Sequence, residues 1–537
     1  MKSDIAEEPR AHRPYTLSFY AVLLIVAPFW LVPPLAWIFV IYTLRAGRLY
    51  TASWSYLALF TLALCEVFFS VHYYHLSRRV ACPTPVGPGS LRELTIQFTR
   101  ILKAGLASLP EDGFDEETTD APRPGSPAEH IIQLERHDPR AVDFRHTLRN
   151  WFGGAPWSSI DVHHVRQWLY WSMFNAALPP LDTLPHTHRA ALNETLDLLQ
   201  KRAGTVLPER VAEPSSAVKP ILLTVDKVNI HWRPFTFYAA LWIVNRTLRV
   251  WLMHKFNATY ASYDGLEYML RIPPTWDSET GPRPLIFVHG LGLGLLQYSM
   301  QLNYLFSRFS DRPVLFLLQP SISQGIFHPR FLSPPSRRET SKRLAKLIES
   351  LGWTSLQEEF VGSDDEIAVA RALAKQKRPS GVTMLSHSNG SYTHAWMLKD
   401  YPNIVTRSCF VDPVTFCSWE GDVCYNFLYR QPKNGIELLM YYFVGSELGV
   451  ANLLQRHFDW SSNSLFYEEI PNARDPHRSM FVVGGRDSIL NAARVKKYLT
   501  SHGVRKGLIF DPHAVHGQAM MIGGQSHTKI MEWVAEC

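Results

Sequence analysis

Two long apolar stretches stand at the start of the chain and dominate its hydropathy pattern. Residues 17–44 contain no Lys, Arg, Asp or Glu, and residues 50–74 form a second stretch rich in apolar and aromatic side chains. A short basic turn with Arg45 and Arg48 separates them. Because roughly 20 apolar residues suffice to cross a bilayer, residues 1–80 predict an N-terminal transmembrane hairpin with both ends on one side of the membrane.

Four residues inside these stretches bear on the shape of the hairpin. Pro28, Pro33 and Pro34 lie in the first stretch and predict a kink, or two short legs of a re-entrant segment. Glu66 lies in the second stretch, where a carboxylate is expected near the interface or paired within the hairpin. One span followed by an interfacial segment is the alternative topology.

The basic residues that flank the two stretches slightly favour a cytoplasmic location for the rest of the chain. The predicted location is the endomembrane system, with the endoplasmic reticulum as one candidate.

The formal net charge of +6 is small for 537 residues, and the basic residues are interleaved with acidic ones. No nucleic-acid-binding surface is expected from this pattern.

Cysteine and histidine show no spacing typical of metal ligands. The six cysteines include no CxxC pair, which predicts reduced thiols, with a Cys417–Cys424 disulfide as the alternative. The histidines at 163–164 and at 186 and 188 have no Cys or carboxylate partner at ligand spacing, so packed or solvated side chains are expected. The sequence therefore predicts neither a metal site nor a cofactor.

Residues 81–215 predict a soluble, mostly helical region. Apolar residues recur at helical spacing over 91–106, and further helices are predicted over 161–177 and 185–203. Residues 111–128 are first acidic and then rich in Pro, Gly and Ser, which predicts an exposed, flexible loop.

Over residues 216–537 short apolar strands alternate with helices. Such alternation predicts an α/β fold, a mostly parallel sheet with crossover helices on both faces. An aromatic helix at 235–256 precedes the strands and is expected either to pack on the sheet or to lie in the plane of the membrane interface. The predicted strands are residues 266–272, 285–288, 314–318, 381–385, 408–411, 480–483 and 507–510. The predicted helices between and after them are residues 341–351, 366–375, 390–399 and a closing helix up to 534.

The strand at 381–385 runs directly into the pentapeptide SHSNG, Ser386–Gly390, which opens a helix. A nucleophile at the apex of such a turn needs small residues two positions before and after it, because both positions face neighbouring backbone. The pentapeptide resembles the nucleophile elbow, small-x-Ser-x-Gly, of the α/β-hydrolase superfamily, with Ser386 in place of the usual glycine. The resemblance implies an α/β-hydrolase fold over residues 216–537, with Ser388 as the nucleophile.

A glycine-rich loop follows another strand about a hundred residues earlier. It consists of His289, Gly290, Leu291 and Gly292. The resemblance implies that this is the oxyanion loop, and that the backbone N–H groups of Leu291 and Asn389 form the oxyanion hole. Removing one such donor typically costs roughly 3–4 kcal/mol of transition-state stabilisation.

The remaining partners of the nucleophile should follow in the chain order serine, acid, histidine. Asp487 comes directly after the strand at 480–483 and is the expected acid, with Asp412 as the alternative. His516 lies between the last strand and the closing helix and is the expected base, with His513 as the alternative.

A serine at the elbow argues against dehalogenase and epoxide-hydrolase chemistry, for which the superfamily uses aspartate, and leaves acyl chemistry. The long insertion at about 413–477 stands where the superfamily commonly carries a helical cap. Its large apolar side chains fit a hydrophobic acyl pocket. They are Phe416, Trp419, Tyr425, Phe427, Leu428, Leu438, Leu439, Tyr441, Tyr442, Phe443, Trp460 and Phe466.

The sequence therefore predicts a membrane-anchored serine hydrolase that cleaves carboxylic esters of lipids or other apolar acyl substrates through an acyl-enzyme on Ser388. Its expected partners are membrane lipid and an apolar acyl-ester substrate. Two alternatives stay open: an acyltransferase that uses the same acyl-enzyme, and a non-catalytic membrane scaffold that keeps the fold.

Overall fold

The computed structural model describes residues 4–83, 91–104, 106, 131–209, 218–355 and 381–536. The predicted loop at 111–128 and the predicted helix at 366–375 lie outside these residues.

The N-terminal hairpin consists of two helices, α1 (Leu17–Arg45) and α2 (Trp54–Ala81). By length and composition both are long and apolar enough to cross a membrane. They run antiparallel, since Thr43 Oγ1 lies 2.7 Å from the Tyr56 hydroxyl while Trp37 Nε1 donates to Ser70 Oγ at 2.9 Å.

All three prolines lie inside α1, which is one continuous helix. The predicted division into two short legs is therefore wrong. A proline removes one backbone hydrogen bond of the helix. A helix packed against its neighbours tolerates that loss, and α1 packs against both α2 and the cap.

Glu66 is buried, and its partners lie outside the hairpin. Its carboxylate accepts hydrogen bonds from the backbone N–H groups of Phe235 (2.7 Å) and Thr236 (2.8 Å). These amides open helix α7 (Phe235–Phe256) and have no partner within that helix. The expected pairing of Glu66 within the hairpin is wrong, because the carboxylate caps α7 instead.

The middle region, with four helices among its described residues, packs against the cap. Trp151 Nε1 donates to the Trp419 carbonyl at 2.7 Å, and Trp460 Nε1 donates to the Ser172 carbonyl at 2.8 Å. The middle region thus supports the cap through a shared aromatic core. The helices are α3 (Leu91–Lys103), α4 (Pro139–Leu148), α5 (Val162–Phe174) and α6 (His186–Ala203).

The paired histidines of this region have ordinary structural contacts. Asp161 caps α5 and its carboxylate lies 2.8 Å from His164 Nδ1, a carboxylate partner that the spacing analysis did not identify. His188 stacks on Phe174 with ring centroids 3.8 Å apart. Cys417 and Cys424 are separate, buried free thiols, so the alternative disulfide is wrong.

The C-terminal half is built on one eight-stranded sheet with the order β1-β2-β4-β3-β5-β6-β7-β8. The pairs β1–β2 and β2–β4 are antiparallel and the remaining pairs are parallel, as the alternating pattern predicts. Strand β1 was not predicted. The strands are β1 (Thr259–Tyr263), β2 (Leu266–Arg271), β3 (Leu285–Val288), β4 (Val314–Leu318), β5 (Val382–His387), β6 (Val405–Val411), β7 (Ser479–Gly484) and β8 (Leu508–Asp511).

Helices cover both faces of the sheet. One face packs against α9 (Arg337–Ser350), α10 (Gly390–Asp400) and α15 (Ala492–Ser501). The other face packs against α7, α8 (Leu295–Arg308) and α16 (Gln525–Ala535). Helix α7 therefore packs on the sheet, as one of its two predicted placements required, although Trp242, Ile243 and Trp251 on it remain exposed.

The insertion between β6 and β7 forms the predicted helical cap. Two of its helices end in π-helical turns, at Tyr425–Tyr429 and at Tyr441–Gly445. The cap helices are α11 (Asp422–Cys424), α12 (Gly435–Met440), α13 (Leu448–Arg456) and α14 (Trp460–Asn463).

Helix α12 rests directly on α1. The Gly435 amide donates to Ser18 Oγ at 3.1 Å, and Arg13 and Glu437 form an ion pair at 2.6 Å. A Cβ on Gly435 would lie 2.7 Å from the Ser18 carbonyl oxygen, so the close approach requires glycine. The cap is therefore attached to the first apolar helix.

Candidate active site

Ser388 lies at the apex of the turn between β5 and α10. Its φ of +53° is unusual for a residue other than glycine, and such backbone strain is common at active sites. A Cβ on Gly390 would lie 2.3 Å from the Val288 carbonyl oxygen, which explains the glycine two positions later. Ser386, two positions earlier, is buried and its Oγ lies 2.9 Å from His394 Nδ1.

Three predicted residues meet in one chain of hydrogen bonds. His516 Nε2 lies 2.8 Å from Ser388 Oγ, and His516 Nδ1 lies 2.5 Å from Asp487 Oδ2. The other carboxylate oxygen of Asp487 accepts from the backbone amides of Ile489 (2.7 Å) and Leu490 (3.1 Å). The acid is thus fixed by its own loop and points one oxygen at the imidazole.

The environment of His516 favours its protonated form. Burial alone would lower the pKa of this imidazole, but the charge of Asp487, the hydrogen bond that His516 donates to Asp487 and the more distant charge of Asp412 act in the opposite direction and raise the pKa above its ordinary value. An imidazole of this kind can accept a proton from the serine and hold it while the acid stabilises the resulting charge.

Asp412 and His513, the alternative acid and base, take no part in the hydrogen bonds between Ser388, His516 and Asp487. Asp412 is fully buried and accepts hydrogen bonds from the amides of Gly484 (2.9 Å) and Gly517 (2.7 Å) rather than from His516. It thereby joins the end of β7 to the loop that holds His516. His513 is exposed and does not line the cavity at Ser388.

Asp412, Asp487 and His516 also form the one group of three potential metal ligands found among the described residues. Their ligand atoms lie within 4.8 Å of one another. However, Asp487 and His516 bond each other, and both oxygens of Asp412 accept backbone amides. These donors fit a hydrogen-bonded arrangement better than a metal centre.

Two backbone amides beside Ser388 are free to bind a substrate oxygen. Leu291 and Asn389 line the same cavity as Ser388, and their N–H groups have no hydrogen-bond acceptor among the described residues. By contrast, the Gly290 amide donates to the Tyr298 hydroxyl (3.0 Å) and the Gly292 amide donates to the Ile322 carbonyl (3.0 Å). The unpaired amides are the two that the resemblance implied.

His289 supports the loop from behind. Its Nδ1 lies 2.7 Å from the Gly290 carbonyl oxygen, and its ring stacks on Phe316. Burial lowers the pKa of His289 to about 4, so the side chain is neutral at physiological pH. It is absent from the lining of the cavity at Ser388.

No sequence pattern pointed to a buried link between the loop after β3 and the turn that holds Ser388. The Tyr298 hydroxyl accepts from the Gly290 amide and also lies 2.9 Å from His387 Nδ1. Both side chains are buried, and burial pushes the pKa of His387 well below 6.5. A tyrosine at helical spacing is ordinarily a core residue, so no sequence signal identified Tyr298.

The cavity at Ser388 has a volume of about 840 Å³, within the range of ligand-binding clefts. Most of its walls are apolar. The cap contributes Val423, Phe427, Met440, Val444 and Leu454, and the other apolar lining residues include Met300, Val515, Met520, Met521 and Ile522.

The cavity is hydrophobic, as expected, but most of the large cap side chains predicted to line it pack elsewhere. Of the aromatic cap residues only Phe427 lines this cavity. Tyr442 and Phe443 pack on Phe29 of α1, and Trp419 stacks on Phe466. The aromatic residues hold the cap to its neighbours, whereas aliphatic and methionine side chains surround the space beside Ser388.

No family model matches the chain, and no curated protein is similar to it. Solved structures that resemble it include a membrane phospholipase A described as a bacterial virulence factor, with 13% identity and a TM-score of 0.31 over 56% of this chain and 93% of that chain. A Bacillus subtilis carboxylesterase has 10% identity and a TM-score of 0.32, over 55% of this chain and 99% of that one. A hydrolase from a lagoon-sediment metagenome has 14% identity and a TM-score of 0.30, over 51% and 97%.

Proposed function

We propose that this chain, which has the α/β-hydrolase fold, is a membrane-anchored serine hydrolase that cleaves carboxylic esters of lipids or other apolar acyl substrates. The observation that carries the proposal is the hydrogen-bonded chain from Ser388 through His516 to Asp487 at the wall of a large apolar cavity. Ser388, Asp487 and His516 follow strands β5, β7 and β8, which gives the chain order serine, acid, histidine.

In the proposed reaction Ser388 Oγ attacks the carbonyl carbon of the ester while His516 Nε2 takes the hydroxyl proton. The tetrahedral intermediate collapses, its C–O bond to the alcohol breaks, and His516 gives the proton to the departing oxygen. Water then attacks the acyl-enzyme with His516 again as base, which releases the acid and restores Ser388. Asp487 holds the imidazole in the required tautomer and stabilises its charge.

The amides of Leu291 and Asn389 are the proposed donors to the oxyanion. They lie on two different segments, the loop after β3 and the start of α10, and Tyr298 links these segments through Gly290 and His387. Because the donors are already in place before the charge develops, stabilising it requires little reorganisation.

The anchor and the cavity together favour an apolar substrate. Helix α12 lies on α1 and contributes Met440 to the cavity wall, so one cap helix separates the first apolar helix from the site. Met300 and Met521 at the cavity are 71% and 64% exposed. Exposed apolar side chains of this kind fit contact with a lipid surface. An endomembrane location with the catalytic region on the cytoplasmic side belongs to the same proposal.

The test is turnover of a series of acyl esters, from acetyl to long-chain, by the purified full chain in neutral detergent. We expect longer acyl chains to be preferred, free acid to be released, and the Ser388→Ala variant to lose roughly 10⁴- to 10⁶-fold in kcat. The same reactions with an added long-chain alcohol report on acyl transfer. Ester formation in place of free acid would assign the chain to the acyltransferases, and a lack of turnover of every ester by folded protein would refute the proposal.

A further inference from the structure

A second cavity of about 280 Å³ lies between α7 and the antiparallel edge of the sheet. Its lining residues come from α7, β1, β2, the start of α8 and the segment 318–328, and none of them also lines the cavity at Ser388. We call it the α7 cleft. The proposed ester hydrolysis makes no use of it.

The α7 cleft carries an excess of positive charge. Arg246 and Arg249 line the cleft, and neither has a carboxylate partner within 4.0 Å among the described residues. The guanidinium of Arg246 lies 5.8 Å from the ring centroid of Trp242, and that of Arg249 lies 4.0 Å from the ring centroid of Tyr260. The single described carboxylate in the lining, Glu267, already lies 2.9 Å from a ring nitrogen of His328. Two guanidinium groups in one cavity, neither of them paired with a carboxylate side chain of the described residues, are typical of sites that bind phosphate or carboxylate.

Further polar groups of the lining suit the same kind of ligand. The N-terminus of α8 contributes Gly294 and Leu295, and the positive end of a helix favours an anion. Ser323 Oγ and Gln324 Oε1 are buried without a hydrogen-bond partner in the described structure, and Gln324 as a whole is only 3% exposed. A hydroxyl donor and an amide acceptor beside two arginines match a phosphate that carries a hydroxylated substituent.

The helix that supplies both arginines also has the surface of a lipid-facing helix. Trp242, Ile243 and Trp251 on α7 are 51%, 56% and 42% exposed, and Glu66 of α2 caps its first turn. Aromatic and aliphatic residues next to basic ones are typical of helices that lie at a membrane interface. The cleft is therefore placed where a lipid headgroup can reach it.

We propose that the α7 cleft binds the phosphate headgroup of an anionic phospholipid, with Arg246 and Arg249 as its cationic ligands. The inference is independent of catalysis at Ser388. It also places a bound lipid beside Asn245, whose side chain donates to the Leu293 carbonyl (3.1 Å) and accepts from the Leu296 amide (2.8 Å). An occupied cleft thus touches the turn that continues from the oxyanion loop.

The experiment measures binding of fluorescent phosphatidylglycerol to the purified full chain in neutral detergent micelles, with phosphatidylcholine as the reference lipid. Arg246→Ala and Arg249→Ala are compared with Lys255→Ala, which removes the same charge from α7 but lies outside the cleft and contacts Asn303. We expect each arginine variant to bind phosphatidylglycerol about tenfold more weakly, since hydrogen bonds to charged groups are the strong ones. Lys255→Ala should stay within about twofold of wild type, because it leaves the cleft intact.

Equal losses in all three variants, or equal affinity for both lipids, would show diffuse charge attraction and overturn the proposal. Unchanged thermal unfolding of the arginine variants excludes misfolding as the cause. Glycerol 3-phosphate serves as the water-soluble competitor. Weak competition that depends on Arg246 supports the headgroup assignment, whereas tighter binding of glycerol 3-phosphate than of the lipid would make a soluble phosphate ester the ligand and overturn the lipid assignment.

Discussion

The hydroxyl of Tyr298 provides a sharp test of how the loop after β3, the proposed oxyanion loop, is held. Tyr298→Phe removes one oxygen and keeps the ring, which is 3% exposed and packs against Phe287. The Gly290 amide then loses its acceptor at 3.0 Å and His387 Nδ1 loses its partner at 2.9 Å. Each of these buried polar groups becomes unpaired.

Leaving one buried polar group unpaired costs about 1–3 kcal/mol, so the two together give an upper range of about 2–6 kcal/mol before the structure relaxes. The loop relaxes by moving Gly290, and the Leu291 amide moves with it. A displaced donor stabilises the developing oxyanion less well. We therefore expect kcat to fall about 10- to 100-fold, with little change in KM, together with a lower unfolding temperature.

The assay measures kcat and KM with a soluble short-chain ester, alongside the thermal unfolding midpoint. Tyr304→Phe is the matched control, because Tyr304 lies on the same helix and packs edge-on against the His527 ring. Its phenol oxygen has no hydrogen-bond partner among the described residues. An unchanged kcat in Tyr298→Phe would refute the reasoning, as would an equal loss in both variants.

Three further predictions concern the acid–base groups, the cavity and its rim. The pKa of His516 is raised and its neutral form is the base, so wild-type activity should rise with pH and reach half its maximum above pH 6.5. Asp412→Asn removes a nearby negative charge that raises the pKa of His516. The pH–rate profile of this variant should therefore shift to lower pH. Val444→Trp should fill part of the cavity and move the preference in an ester chain-length series toward shorter acyl groups, and an unchanged preference would exclude this cavity as the acyl site. Met300→Glu should lower activity on lipid vesicles more than activity on a soluble ester, whereas equal losses would argue against contact of this rim with lipid.

The strands near the site could be predicted because each is a short apolar run that ends in turn residues. Residues 285–288 and 314–318 agree with β3 and β4 to the residue, and all of them except the half-buried Leu318 are buried. Strand β1, Thr259–Tyr263, is exposed or half-buried along its length, so its sequence lacks that apolar signal. The same reasoning placed Ser388, Asp487 and His516 at strand ends, where the fold brings distant segments together.

The residues that line the cavity at Ser388 and the contacts that hold the neighbouring loops together could not be predicted in this way. Trp419 and Tyr442 belong to the same cap insertion, yet one packs toward the middle region and the other toward α1. Which surface an aromatic side chain covers depends on packing between distant segments. Asp412 resembles a catalytic acid by position, and only its two backbone partners show that it joins two loops.

Covalent labelling shows whether Ser388 is the activated nucleophile that the proposed reaction requires. The purified full chain should react with a fluorophosphonate probe, and the labelled peptide should carry the adduct on Ser388. Ser388→Ala should not be labelled. Ser386→Ala should still be labelled, since Ser386 is fully buried against His394 and does not line the cavity. Labelling that persists in Ser388→Ala, or folded wild-type protein that never reacts, would show that Ser388 is not an activated nucleophile.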